Sequence, residues 1–330
     1  MKLIVDAMGG DHAPKAIVAG VIDAINEFDV TIALVGPQAE VEKELRAYKY
    51  PKQKIEIIHA PEVVGMNEPA ATSIRRKKNS SISVGVNLLK NPDYKAFVSA
   101  GNTGAVVAAS TFNLGMINGI DRPAIGLVIP TLTKFSFLID VGAHTDPKPE
   151  NLLQSALMAT VYAREVLDLP NPSVGLLNIG EESCKGTDFV KEMHKMMADR
   201  IKNFIGNIEA NEIFSGKCDC IICDGFVGNI VIKVSQSLME SAAALMKREI
   251  KKSPVAMFGA MLMKSRLDHI KRYADYSEYG GAPLLGVNGI VMISHGRSGP
   301  KAIKNAIRAA RREVEHNIIA SIMQETGKPQ

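Results

Sequence analysis

There is no tryptophan in this 330-residue chain, and aromatic residues make up only 5% of it. Scarce aromatics remove the platforms on which single strands of nucleic acid stack. The 39 lysines and arginines against 35 acids, a net charge of +4, supply no basic field for a phosphate backbone. Nucleic acid is therefore not an expected partner. Four cysteines are too few for a disulfide framework, and a chain of this length buries a sizeable core without one. Cys218, Cys220 and Cys223 lack the second ligand pair that zinc prefers. Strand periodicity puts Cys218 and Cys220 on one face and Cys223 on the other, as buried free thiols. The seven histidines are scattered. There is no GxSxG, HExxH or Walker loop, and no strand leads into GxGxxG. Neither a metal nor a cofactor is expected.

Long apolar runs are also missing. The longest uncharged stretch, residues 96–120, is long enough to span a bilayer. It carries Asn102, Thr103, Asn113 and Asn118 with four glycines, which suits a buried strand, a turn and a core helix better than lipid. The apolar start, residues 1–5, is broken by Asp6 and lacks the core of a signal peptide. The expected location is the cytoplasm.

What is present is an ordinary globular balance, 46% apolar and 22% charged. Runs such as KLIVDA, VTIALVG, YKAFVSA, FSFLIDVG and SVGLLNIG are almost continuously apolar. Segments with helical spacing separate them, such as PKAIVAGVIDAINEF. That alternation predicts α/β architecture, with a doubly wound parallel sheet covered on both faces. After residue 228 the spacing predicts long helices over 229–250, 254–274 and 300–324, and a strand near 289–294. No repeat or low-complexity linker divides the chain, so a single domain over 1–330 is expected, with a helical projection at about 229–275.

In open parallel sheets ligands gather at the carboxyl ends of strands. Unusual residues recur at those places here. DAMGGDHAP follows the first strand, with Gly9 and Gly10 permitting close backbone approach and Asp6 and Asp11 suited to orienting neighbours. SAGNTG, residues 99–104, has the attributes of an anion cradle: Gly101 and Gly104 to expose amides, Ser99, Asn102 and Thr103 as side-chain donors, and a helix start behind them. Phosphate is the expected guest, and a plain helix cap is the alternative. Lys185, in GEESCKG, and Asn229, in DGFVGN, stand at two further strand ends. Each is either a donor to developing negative charge or, respectively, a surface lysine paired with Glu181 and Glu182 and a helix cap.

The blocks VDAMGGDHAP, EPAATSIRRKKNSS, SAGNTGA, GIDRPAIG, DVGAHTDPKPENL, VGLLNIGEESCKG, FIGNIEA, CDGFVGNIVIK and YGGAPLLGV, with His295-Gly296 beyond them, occur in this order over nearly the full length. Together they closely resemble the PlsX family of bacterial phosphate acyltransferases. Two positions depart from its pattern: Asn211-Glu212 replaces Arg-Asp, and His144 replaces Asn. The resemblance implies a homodimer with a Rossmann-like three-layer α/β/α sandwich, related to isocitrate and isopropylmalate dehydrogenases and to phosphotransacetylases. It implies transfer of a long acyl chain from acyl carrier protein to inorganic phosphate. The acyl phosphate would supply a membrane glycerol-3-phosphate acyltransferase in phospholipid synthesis.

That chemistry fits the missing motifs. Phosphate is already a nucleophile, and a thiolate of pKa around 8.5 is a workable leaving group, so no enzyme nucleophile is required. On this view residues 99–104 hold phosphate while Lys185 and Asn229 stabilise charge. Residues 253–266 are apolar on more than one helical face, with Val255, Met257, Phe258, Met261 and Leu262 inside a basic frame. They suit either a lipid-contacting tip or a dimer core, and the resemblance implies peripheral membrane association. The run Arg75-Arg76-Lys77-Lys78 is a solvated helix face or a docking surface for an acidic carrier protein. Competing functions are a dehydrogenase, an acyltransferase using coenzyme A, and a non-catalytic membrane scaffold.

Overall fold

The computed structural model describes residues 1–274, 278 and 280–327. Part of the Gly- and Tyr-rich link, residues 275–277 and 279, lies outside the described residues. In chain order the strands are β1 (Lys2–Asp6), β2 (Thr31–Gly36), β3 (Ile55–His59), β4 (Tyr94–Ser99), β5 (Ala124–Pro130), β6 (Phe135–Ile139), β7 (Val174–Asn178), β8 (Phe204–Glu209), β9 (Cys220–Ile222), β10 (Ala282–Leu285) and β11 (Ile290–Ile293). They form one sheet in the order β3-β2-β1-β4-β11-β10-β5-β6-β9-β7-β8.

Helices α1 (Lys15–Glu27), α2 (Gln38–Leu45), α6 (Pro149–Glu165), α7 (Asp188–Arg200), α11 (Pro300–Glu315) and α12 (Ile318–Thr326) bury their apolar sides in one core with one face of the sheet. Helices α3 (Ala70–Arg76), α4 (Ser81–Leu88) and α5 (Thr103–Leu114) build a second core. The start of α8 (Gly225–Lys251) closes a third with Leu138, Ile208 and Ile221. The result is the expected three-layer α/β/α sandwich. Residues 96–120 resolve into β4, a turn and α5. Among the described residues no helix is long and apolar enough to cross a membrane.

The sheet is mixed rather than parallel throughout. β10 runs antiparallel to both β11 and β5, and β5 runs antiparallel to β6. β1, β2, β3, β4 and β11 share one direction. β6, β9, β7 and β8 share the opposite one. A continuous apolar run reports burial on both faces and carries no information about direction. The consequence concerns the site: the carboxyl ends of β1 and β4 lie at the opposite rim from those of β6, β7 and β9. The expected gathering of all the loops at one rim is thus not what the strand directions give.

The long helices also differ from expectation. α8 begins four residues early, because Asp224 caps it by accepting the amides of Phe226 and Val227. Residues 254–274 divide at Met263 into α9 (Pro254–Leu262) and α10 (Lys264–Ala274). Residues 300–324 divide at Asn317, which takes a left-handed φ of 48°. Only Gly225 and Gly228 of α8 are buried, so most of that helix stands clear of the sandwich. α10 leads back to it, where the Tyr273 hydroxyl bonds the Thr131 carbonyl. Cys218 precedes the short β9 and shares a core with Cys223, while Cys220 faces the other core, which corrects the expected pairing of faces. All three thiols are buried and Cys184 is exposed. Burial pushes the Cys218 thiol up to about 12 and those of Cys220 and Cys223 well above the ordinary range.

Candidate active site

At the β1–β4 rim, Asp6 ends β1 and is 1% exposed. Burial raises its carboxyl pKa, opposed by hydrogen bonds from Ser81, Ser99 and the Met8 amide. Ser99 Oγ donates to Asp6 Oδ2 at 2.7 Å and accepts from the Gly101 amide at 3.0 Å. The loop 6–11 packs directly on this turn, since a Cβ on Gly9 would lie 2.6 Å from the Gly101 nitrogen. Gly10 has φ +93° and abuts the Gly296 carbonyl, which also accepts the Asp11 amide at 2.8 Å.

Asn102 is used still more completely. Its Oδ1 caps α5 by accepting the Ala105 amide, and its Nδ2 faces the carbonyls of Gly65, Met66 and Glu68 at 3.0–3.3 Å. Three of the donors expected to face phosphate, the Ser99 hydroxyl, the Gly101 amide and the Asn102 amide, are therefore engaged inside the protein. They shape the turn. The exposed first-turn amides of Thr103 and Gly104 have no hydrogen-bond partner among the described residues.

At the opposite rim Asp140 follows β6 and is 3% exposed. It accepts four backbone amides, from Ile125, Gly142, Ala143 and His144, at 2.7–3.0 Å. Burial raises its pKa and those four bonds oppose the rise. The His144 carbonyl accepts the Gly225 amide at 2.9 Å, tying this loop to the start of α8. A methyl on Gly228 would lie 2.0 Å from the Asp140 carbonyl oxygen, so only glycine lets α8 approach so closely. Asn229 is half-buried beside the same loop, 3.9 Å from where a Gly142 side chain would begin.

Lys185 follows β7 at this second rim. Its carbonyl accepts from Asn178 Nδ2 at 3.1 Å, and its side chain is exposed. It has no ion pair among the described residues with either expected partner, Glu181 or Glu182; Glu181 pairs with Lys217 at 2.6 Å instead. The 99–104 loop therefore groups with Asp6, Gly9, Gly10 and Asp11, while Asn229 and Lys185 lie at the ends of the adjacent strands β9 and β7. Among the described residues no hydrogen bond joins the two groups. α8 is the element that reaches from one toward the other. His295, after β11, has its pKa lowered by desolvation and by Arg297, and it also senses Lys233 and Glu240 of α8.

Reasoning from sequence passed over Asp140, Asp224 and Asn151, which hold the second rim together. Their signal was available in DVGAHTDPKPEN and CDGFVGN, where carboxylates and amides sit beside glycines at strand ends. On the projection, Val255, Met257, Phe258, Met261 and Leu262 are all exposed, at 81%, 52%, 59%, 63% and 71%, and no residue of α9 is buried. On α3, Arg75 and Arg76 are exposed, as is Lys78 beyond it, while Lys77 pairs with Glu68 at 2.6 Å.

Comparison with known proteins places this geometry. A family described as fatty acid synthesis protein matches residues 1–321. The phosphate acyltransferase of Heliobacterium modesticaldum is 47% identical over 325 residues, 98% of this chain and 97% of its own. That of Dictyoglomus turgidum is 45% identical over 330 residues, covering 99% and 98%. Among solved structures, the EutD phosphotransacetylase of Staphylococcus aureus superposes with a TM-score of 0.61 at 15% identity, over 94% of each chain. A phosphotransacetylase of Streptococcus pyogenes gives 0.61 at 16% identity, over 99% and 94%. Those two likenesses establish the fold. Identity of this order over almost the whole of both chains establishes more: the protein belongs to the phosphate acyltransferase family.

Proposed function

We propose that this phosphate acyltransferase takes a long-chain fatty acyl group from acyl carrier protein and passes it to inorganic phosphate. The near full-length match to curated phosphate acyltransferases carries this reading. A phosphate oxygen attacks the thioester carbonyl carbon, a tetrahedral oxyanion forms, and the C–S bond breaks to release the carrier thiolate. The chain contributes position and charge. Lys185, free of an ion pair among the described residues, and Asn229, beside the Asp140 loop, stabilise charge on phosphate or on the oxyanion. The open amides of Thr103 and Gly104, at the other rim, provide a separate phosphate-binding position at the start of α5, with Ser99, Gly101 and Asn102 setting its shape. Asp6, Gly9, Gly10 and Asp11 support that turn.

The proposal extends to a homodimer in the cytoplasm, peripherally associated with the inner face of the membrane. There the acyl phosphate passes to a membrane glycerol-3-phosphate acyltransferase. Exposed Val255, Met257, Phe258, Met261 and Leu262, framed by Lys247, Arg248, Lys251 and Lys252, support a tip that enters anionic lipid. The test has two arms. Phosphate-dependent release of carrier protein is measured with Lys185→Ala and Asn229→Ala; loss in each is expected, and undiminished turnover in both removes them from the site. Sedimentation with anionic vesicles of a Met257→Glu, Phe258→Glu double variant is expected to show lost binding with dimerisation intact. Monomerisation instead makes α9 a dimer core.

A further inference from the structure

A shallow cleft opens behind the 140–144 loop, lined by Arg122, Asp140, His144, Asn151, Ser155 and Asp224 among others. The roles assigned above leave it without an occupant.

Several polar groups that line it have no partner among the described residues. Arg122 is exposed and has no ion pair or hydrogen bond among the described residues. Asn151 is 8% exposed; its Oδ1 accepts the Lys148 amide at 3.0 Å, and its Nδ2 has no hydrogen-bond partner among the described residues. His144 Nδ1 is buried and has no hydrogen-bond partner among the described residues. A buried polar atom without a partner is uncommon in native proteins and calls for an explanation such as a ligand. α6, 17 residues long, starts at Pro149 and turns its positive end toward this side.

Its acceptors decide which anion fits. Both oxygens of Asp140 already receive backbone amides. Asp224 differs, because its Oδ1 takes the Phe226 and Val227 amides at 2.9 Å and its Oδ2 has no partner among the described residues. A carboxylate oxygen facing an anion repels it unless the anion offers a proton. Near neutral pH inorganic phosphate retains a P–OH group, whereas sulfate and phosphodiesters have none.

We propose that the cleft bounded by Arg122, His144, Asn151 and Asp224 is a seat for hydrogen phosphate, selected against sulfate by a P–OH bond to Asp224. This rests on the phosphate-using activity proposed above. It places a phosphate at the rim that carries Asn229 and Lys185, in addition to the amide position at Thr103 and Gly104. The 140–144 loop that borders the cleft also lies beside Asn229, 3.9 Å from where a Gly142 side chain would begin. The same proton requirement rejects the phosphodiester of a carrier's prosthetic arm.

The test is calorimetric binding of inorganic phosphate, with sulfate as competitor, to the full chain and three variants. Arg122→Gln is expected to weaken at least tenfold the phosphate-binding event that excludes sulfate, and Arg122→Lys to recover part of that. Asp224→Asn keeps the helix cap, since Asn caps as well as Asp. It is expected to narrow the preference for phosphate over sulfate at least tenfold. Unchanged affinity in the sulfate-excluding event in Arg122→Gln, or continued rejection of sulfate by Asp224→Asn, overturns the proposal. Because no acyl donor is present, phosphate selection here by a chain that transfers no acyl group sustains the seat and removes the function.

Discussion

Glu313 gives a prediction whose size follows from the structure. It lies on α11, 1% exposed, against Tyr162 of α6, which stacks on Phe137 with ring centroids 4.4 Å apart. Its Oε1 has no partner among the described residues. Burial pushes its carboxyl from the ordinary 4.5 up to about 8, with the Tyr162 hydrogen bond opposing. The folded state therefore keeps a proton that the unfolded chain releases above pH 4.5. Stability from this group is complete below that value and is lost as pH rises to about 8. At about 1.36 kcal/mol per pH unit, the loss is about 3 kcal/mol by pH 7 and on the order of 5 kcal/mol by pH 8. With the usual unfolding entropy per residue, the pH 7 figure corresponds to about 5 °C in Tm.

Glu313→Gln removes the titration. Its new amide donors lack partners and cost about 1–3 kcal/mol, but that offset is the same at every pH. The pH slope is what separates the two proteins. Urea or thermal unfolding between pH 5 and 9 is expected to show wild-type stability falling relative to the variant as pH rises. Parallel curves for the two proteins would refute a protonated Glu313 in the core.

Asn102→Ala removes the α5 cap and the staple on the 65–68 loop. A loss of about 2–4 kcal/mol in unfolding free energy is expected, and a loss under 1 kcal/mol contradicts the structural role of the turn. Gly228→Ala pushes a methyl against the Asp140 carbonyl, so a loss of about 3 kcal/mol is expected in thermal unfolding, together with a displaced Asn229. A thiol reagent at neutral pH should modify one cysteine per native chain, Cys184, and all four after denaturation; rapid labelling of Cys218, Cys220 or Cys223 contradicts their burial.

The central strands were legible because they are buried on both faces, so β1, β2, β4 and β7 read as apolar runs with polar turns at their ends. β4 and the start of α5 were placed within a residue or two by SAGNTG, where a small polar cluster stops one element and caps the next. Direction was not legible. Leu127 and Leu138 pair antiparallel in β5 and β6, yet nothing in two apolar runs distinguishes that from parallel pairing. α3 was legible only as the solvated helix face at Arg75–Lys78, and the eight residues of α4, SISVGVNL, are too short a run to fix a helical period. The breaks at Met263 and Asn317 were missed because no proline or glycine marks them. For the candidate site, residue types at strand ends singled out the loops that the proposal uses. The engagement of Ser99 and Asn102 depends on contacts with Asp6 and with residues 65–68, which sequence spacing does not reveal.

The most direct measurement incubates the purified chain with a long-chain acyl carrier protein thioester and inorganic phosphate, and traps the product with hydroxylamine. The predicted result is acyl hydroxamate that appears only when phosphate is present, formed faster from the carrier thioester than from the corresponding coenzyme A thioester. Thioester that survives unchanged, or hydroxamate that forms equally well without phosphate, contradicts the proposed reaction.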